Sequence, residues 1–475
     1  MVTVLHRRGE PAPRRLSKVP VPAAAAALVL LGVGAVAGTM AFLMEHGSYD
    51  TWAAIPVGIG LVALSVPLVR RIESYETDHR IARMLWWALM LKLVSALPRY
   101  VMVFGLYDGQ ADAASYSRVG SELARQFRDG LFYADLGGPL QGTRFIQLVT
   151  GVVFTVIGGT TLGGFLVFSW FGFWGLYLFH RAFVRACPEG DHWRYSRLVF
   201  LLPSLLFWPS SIGKEAWMCL GLGIVAYAGS RMLTGARGGL VLLAAGSLML
   251  SMVRPHIAAL VGFAVLLAYV VRRSPENASA FAPAGKFVIV IILGLGMVYA
   301  VGQLEDFFGV DEFDQEAVQT TLDEVTRRTG QGGSEFAAEP STNMRPSQFP
   351  QALVGVLFRP FPWQATNVQA LVAATESVFL MGLFLANRRG MLGALRSAIR
   401  VPYVVLCCTY TVLFVYGFSS FSNAGILVRQ RVQVLPFVLV LVCLPVAAVG
   451  ARPQARQRDD EVPSMPAVRQ PEPIL

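Results

Sequence analysis

Charge is scarce in this sequence. Of its 475 residues, 15% are Asp, Glu, Lys or Arg and 54% are hydrophobic, where a soluble protein carries about 25% charged residues. With a mean hydropathy of +0.53, that composition excludes a disordered chain and argues against a soluble enzyme. It suits a polytopic chain folded by a bilayer. Cysteine is scarce too. There are five, Cys187, Cys219, Cys407, Cys408 and Cys443. No Cys-x-x-Cys or Cys/His spacing marks a metal site or a disulfide framework, so they read as small apolar packing residues. Walker A, HExxH and GxSxG motifs are missing, and no GxGxxG follows a strand. ATP-driven transport within the chain is thereby excluded, and no cofactor is expected, with a divalent metal left open. Internal repeats, frequent in secondary transporters, are also lacking.

Long apolar runs are abundant. They fall near 23–43, 52–68, 84–106, 145–158, 162–179, 198–208, 216–230, 238–252, 257–271, 287–302, 368–386, 401–416 and 434–449. Lipid leaves a spanning backbone few options but the helix. The first run follows a basic start (Arg7, Arg8, Arg14, Arg15, Lys18). It is too long for the roughly 7–15-residue core of a signal peptide and reads as a retained helix. The net charge of +10 is assigned to arginine-rich cytoplasmic loops facing anionic headgroups, not to nucleic acid. Those loops are the N-terminus, 70–83, 180–197, 231–237, 272–286, 388–400 and the tail.

Alternation then works with one conflict, which is removed if 145–158 is re-entrant or juxtamembrane on the outer face. The expectation is an all-α polytopic integral membrane protein of about 12 spans. It has a basic cytoplasmic N-terminus (1–22), a transmembrane domain (23–449) and a disordered cytoplasmic tail (450–475). Outer loops fall at 107–144, 302–366 and 417–433. The expected location is a bacterial cytoplasmic membrane with both termini inside.

Polar residues gather on the outer side. Asp108 and Asp112 precede an amphipathic stretch with Tyr116, Arg118 and Glu122. Each aspartate alone reads as a helix cap or solvated turn, and the four-residue spacing lets the two share one helical face or one metal. Lys214 and Glu215 end a proline-broken hairpin (Pro203, Pro209). Arg254-Pro255-His256 joins two runs. Arg359 precedes Pro360 and Trp363, and Arg429, Gln430 and Arg431 follow Asn423. Charges beside apolar helices are functional candidates. Arg254, Arg359, Arg429, Arg431 and Lys214 together would make one anion site, because guanidinium groups bind phosphate bidentately. Separate snorkelling to lipid headgroups is the alternative. Trp208 and Trp363 read as belt residues or as the lining of an entrance.

An outer loop bearing Asp112-Ala113-x-x-Tyr116, surface helices and a proline-containing hairpin resembles the GT-C superfamily of membrane glycosyltransferases. The stretch 138–179, with its Gly-rich turn, resembles the segment that follows in such proteins. The large loop flanked by arginines also resembles O-antigen and exopolysaccharide polymerases. The phrase Asn423 to Arg431 resembles actinobacterial exopolysaccharide-cluster membrane proteins. Two departures from the GT-C pattern stand out: two helices precede the motif-bearing third, and the aspartates are spaced, not adjacent.

The resemblance implies transfer of sugar from a polyprenyl-phosphate-linked donor to a glycan or lipid acceptor on the outer face, in cell-envelope polysaccharide synthesis. Asp112, with Asp108 second, would be the catalytic carboxylate. The five cations would hold the phosphate, with Glu215, His256 and Tyr116 as further polar groups. The competing expectations are a polymerase using polyprenyl-pyrophosphate-linked repeat units and a flippase for lipid-linked glycans.

Overall fold

The computed structural model describes residues 23–445, except 75, 77, 134–135, 274–281, 309–345, 366, 397, 399 and 422. The expected basic N-terminus, the tail and most of the large middle loop lie outside the described residues. All regular elements among the described residues are helical. In chain order the first are α1 (Ala23–His46), α2 (Tyr49–Glu73), α3 (His79–Val94), α4 (Ala96–Val101), α5 (Asp112–Arg128), α6 (Thr143–Ile157) and α7 (Thr161–Ala186). Next come α8 (His192–Leu201), α9 (Pro203–Phe207), α10 (Lys214–Leu233), α11 (Gly239–Ser251), α12 (Pro255–Val271) and α13 (Ala282–Phe308). The last are α14 (Phe349–Phe358), α15 (Val368–Ala386), α16 (Arg388–Arg396), α17 (Pro402–Phe418), α18 (Ala424–Arg431) and α19 (Leu435–Val442).

Five helical stretches among the described residues are long and apolar enough to cross a membrane: Tyr49–Glu73, His79–Leu106, Thr161–Ala186, Lys214–Leu233 and Val368–Ala386. A sixth is counted if α18 and α19, bent by 64°, form one broken span. The fold is accordingly that of a polytopic helical membrane protein.

Small residues set the closest packing. At the crossing of α7 and α10, a Cβ added to Gly175 would lie 2.5 Å from the Cys219 carbonyl oxygen, and one on Gly223 would strike the Gly175 carbonyl. Membrane helices associate through such close backbone approach, because lipid supplies no hydrophobic drive between them. The N-terminus of α7 is tied to α2 by Asp50. Its carboxylate accepts from the Leu162 N–H (3.2 Å), the Thr160 hydroxyl (3.2 Å), the Thr161 N–H and the Tyr100 hydroxyl (2.5 Å). It thus satisfies donors that a helix start leaves unpaired.

α5 is amphipathic, as the spacing of Val119, Leu123 and Phe127 predicts, and lies on α6. Gly151 admits Leu123, whose Cβ is 2.7 Å from where a Cβ at 151 would sit. The segment expected as re-entrant or juxtamembrane is the 15-residue α6, ended by Gly158 at φ 92°. The stretch read as an outer loop at 417–433 is helical over α18, because Asn423 caps it by accepting from the Gly425 and Ile426 N–H groups.

Candidate functional site

Three elements distant in sequence meet at one end of α10. Arg429, near the end of α18, donates from Nε to Oε1 of Glu215 (2.6 Å) and from Nη2 to Oε2 (3.1 Å). The same Nη2 donates to Oδ2 of Asp112 (3.2 Å), the first residue of α5. Arg254, in the turn between α11 and α12, places Nη2 3.5 Å from Glu215 Oε1. Its Nη1 donates to the side-chain oxygen of Gln430, which also accepts from Gln433 Nε2 (2.5 Å).

Burial is graded across the cluster. The Glu215 side chain is 2% exposed and that of Asp112 is 59% exposed. One carboxylate is locked, and the other presents itself at the surface while still bonded to Arg429. Burial draws the Arg254 guanidinium below its ordinary value, and Glu215 pulls it back up. Tyr116, one turn beyond Asp112, is buried. Burial pushes its phenol up to about 12, with the Asp112 and Glu215 charges adding to the rise. Lys214 is half-buried and lies within electrostatic range of Arg254, Asp112, Glu215 and Arg429. His256 sits on the first turn of α12, within range of Arg254 and Lys214.

The single five-cation site expected from sequence divides in two. Arg431 is fully buried and turned away from Arg429, since two residues along an α-helix rotate by about 200°. Its Nη1 donates to Ser377 Oγ (2.8 Å) and to the carbonyls of Leu357 (3.1 Å) and Arg359 (3.3 Å), and its Nη2 to Glu376 Oε1 (3.2 Å). Glu376 also accepts from the Ser204 N–H (2.6 Å) and the Ser204 hydroxyl. This second centre ties α9, α14, α15 and α18 together. Arg431 and the Arg359 backbone belong to it, while Arg254, Arg429 and Lys214 belong to the first.

Asp108 is exposed in the turn after a π-helical segment, at φ 46°. It takes no part in the ion pairs of the described residues. Trp208 is buried, and Trp363 is exposed and stacked on Phe361 at 4.9 Å. Compared with family models, curated proteins and solved structures, the chain matches none. The chemistry therefore has to be read from the cluster. Among the described residues no group of three or more His, Cys, Asp or Glu side chains is placed to hold a metal ion.

Sequence reasoning missed three charged groups, Lys92 and Arg99 inside one apolar run and Glu376 inside another. It named Gln430 without its role, which is to link Arg254 to Gln433. The signal for the three charged groups was available: an ionisable residue within an apolar run is a functional candidate by default. Lys92 is explained structurally, since its Nζ donates to the Leu205 and Leu206 carbonyls (2.8 Å each) at the end of α9.

Proposed function

We propose that the protein is a membrane glycosyltransferase that moves a sugar from a polyprenyl-phosphate-linked donor to a hydroxyl of a glycan or lipid acceptor, in cell-envelope polysaccharide synthesis. The observation that carries this reading is the exposed Asp112 carboxylate, bonded to Arg429 beside the buried Glu215 and a cluster of cations. Arg254, Arg429, Lys214 and the nearby Arg99 outnumber the two carboxylates by two charges. An anionic ligand balances that excess. Supporting the lipid character of the donor is an apolar crevice of about 590 Å³ between α11, α12 and α13. Its lining includes Ser251 and Pro255, which flank the Arg254 turn, and continues along Leu243, Ala258 and Ile292.

In this mechanism Asp112 accepts the proton of the acceptor hydroxyl. The freed oxygen attacks the anomeric carbon, the bond from that carbon to the phosphate oxygen breaks, and its electron pair leaves with the phosphate. Arg254 and Lys214 stabilise the charge developing there, which needs no metal. Glu215 fixes the geometry of both guanidinium groups. Asp108 is a weaker second candidate for the base, being outside the ion-pair network. We place the site on the outer face of a bacterial cytoplasmic membrane. On this reading the shorter apolar helices complete about 12 crossings, with both termini in the cytoplasm.

The test is transfer by purified protein supplied with a lipid-linked sugar and an acceptor. An amide cannot take the proton, so Asp112→Asn should abolish turnover while donor binding persists. Asp108→Asn should reduce turnover far less. Full transfer by Asp112→Asn would remove the base. Translocation of lipid-linked glycan without transfer by the wild type would replace the enzyme by a flippase.

A further inference from the structure

Arg99 is 6% exposed and sits within the helical stretch His79–Leu106. Its guanidinium carbon lies 5.1 Å from the centroid of the Phe207 ring and 4.7 Å from that of Trp208. The aromatic rings give the cation an attractive seat but are only weak acceptors for its N–H groups. Its Nη1 donates to the Met102 sulfur at 3.5 Å, a weak acceptor, and its buried Nε has no partner. Among the described residues no carboxylate pairs with it. Four neighbouring cations are held differently: Arg254 and Arg429 by Glu215, Lys92 by two carbonyls, and Arg431 by Glu376. Arg99 is nonetheless within electrostatic range of Arg429, Glu215, Tyr107 and Asp112.

A buried guanidinium without a counter-ion is costly to a fold, and a structural role would be served better by an apolar residue. We infer that Arg99 is an anion receptor, whose unpaired edge takes an oxygen of the ligand's phosphate group while Phe207 and Trp208 fix its plane. Two parallel N–H groups on one edge match two oxygens of a phosphate. The side chain is seated on the two rings, and both oxygens of Glu215 already accept from Arg429, with Arg254 beside one of them. The assignment rests on the reading of the cluster as a phosphate site, not on the transfer step, and it applies equally to a lipid phosphate and to a free one.

The experiment uses the full chain in lipid nanodiscs, with binding and thermal stability read on the wild type, Arg99→Met, Arg99→Lys and Arg429→Gln. The added compounds are a polyprenyl monophosphate, the uncharged polyprenol of the same length, and inorganic phosphate. Met removes the charge and leaves a shorter, flexible thioether that can pack on aromatic rings. Arg99→Met should unfold at a higher temperature than the wild type without ligand, and should bind polyprenyl monophosphate roughly 10- to 100-fold more weakly. Arg99→Lys should fall between them, because a point charge lacks the paired edge. Polyprenol should bind wild type and Arg99→Met alike. Displacement by inorganic phosphate would assign the recognition to the phosphate alone, and its failure to displace would assign it to phosphate joined to lipid. Weaker binding in Arg429→Gln with unchanged binding in Arg99→Met would overturn the receptor and leave the phosphate site standing. Lower stability of Arg99→Met without ligand would make Arg99 a structural cation. No binding of polyprenyl monophosphate by the wild type would remove both.

Discussion

Glu215 is the side chain on which the cluster depends. It is nearly inaccessible, and it neutralises two guanidinium groups that are themselves 13% and 26% exposed. Replacing a buried pair by apolar residues is often harmless, but deleting one partner strands the other charge, at about 3–5 kcal/mol. Glu215→Ala should therefore destabilise the protein by an amount in that range, whereas Asp112→Ala, at an exposed position, should cost under about 1 kcal/mol. Thermal unfolding in detergent checks the pair of values, and equal losses in the two variants would contradict the grading of burial. The sequence displayed these residues but not their ranks. Lys214 and Glu215 stood out as charges beside an apolar helix. Nothing in the chain order tells that Glu215 points inward to Arg429, 214 residues away, or that Arg431 turns its back on it.

Helix packing is the next scale, and there the glycines divide sharply. Gly223 faces Gly175 across the α7–α10 crossing, with no room for a Cβ. Gly262, on α12, has nothing within 4 Å of where its Cβ would stand. Gly223→Ala should push the two helices apart and cost about 1–3 kcal/mol, the usual penalty of overpacking. Gly262→Ala should be neutral or stabilising by up to about 1 kcal/mol, through helix propensity. Chemical unfolding of the two variants separates them, and a stable Gly223→Ala would mean that the crossing is looser than its geometry. Apolar runs in the sequence locate most helices. They do not show where one breaks: the run at 198–208 divides at Leu202 before Pro203, and the run at 84–106 is interrupted at Ser95 and ends in the π-helical Met102–Leu106. Local steps of this kind bring Trp208 and Arg99 together, and hydropathy averages over them.

Across the whole molecule, the arginine pattern and the cluster make one joint demand. Arg429 pairs with Asp112 and shares Glu215 with Arg254, so the start of α5, the α11–α12 turn and the end of α18 must lie on the same side of the membrane. The basic segments at 231–237 and 388–400 follow α10 and α15 at their other ends. On the proposed orientation the positive-inside tendency would put those basic segments in the cytoplasm, and the cluster would face out. Single cysteines in a chain stripped of its native ones would read this directly. Arg118→Cys shares α5 with Asp112 without touching the ion pairs, while Arg237→Cys and Leu392→Cys report the basic segments. All three positions are exposed. An impermeant maleimide added to intact cells should label 118 and spare 237 and 392 until the membrane is opened. Labelling of 237 with protection of 118 would invert the molecule. The arginines of the cluster would then obey the charge rule unaided, and the ligand phosphate would have to come from the cytoplasmic side.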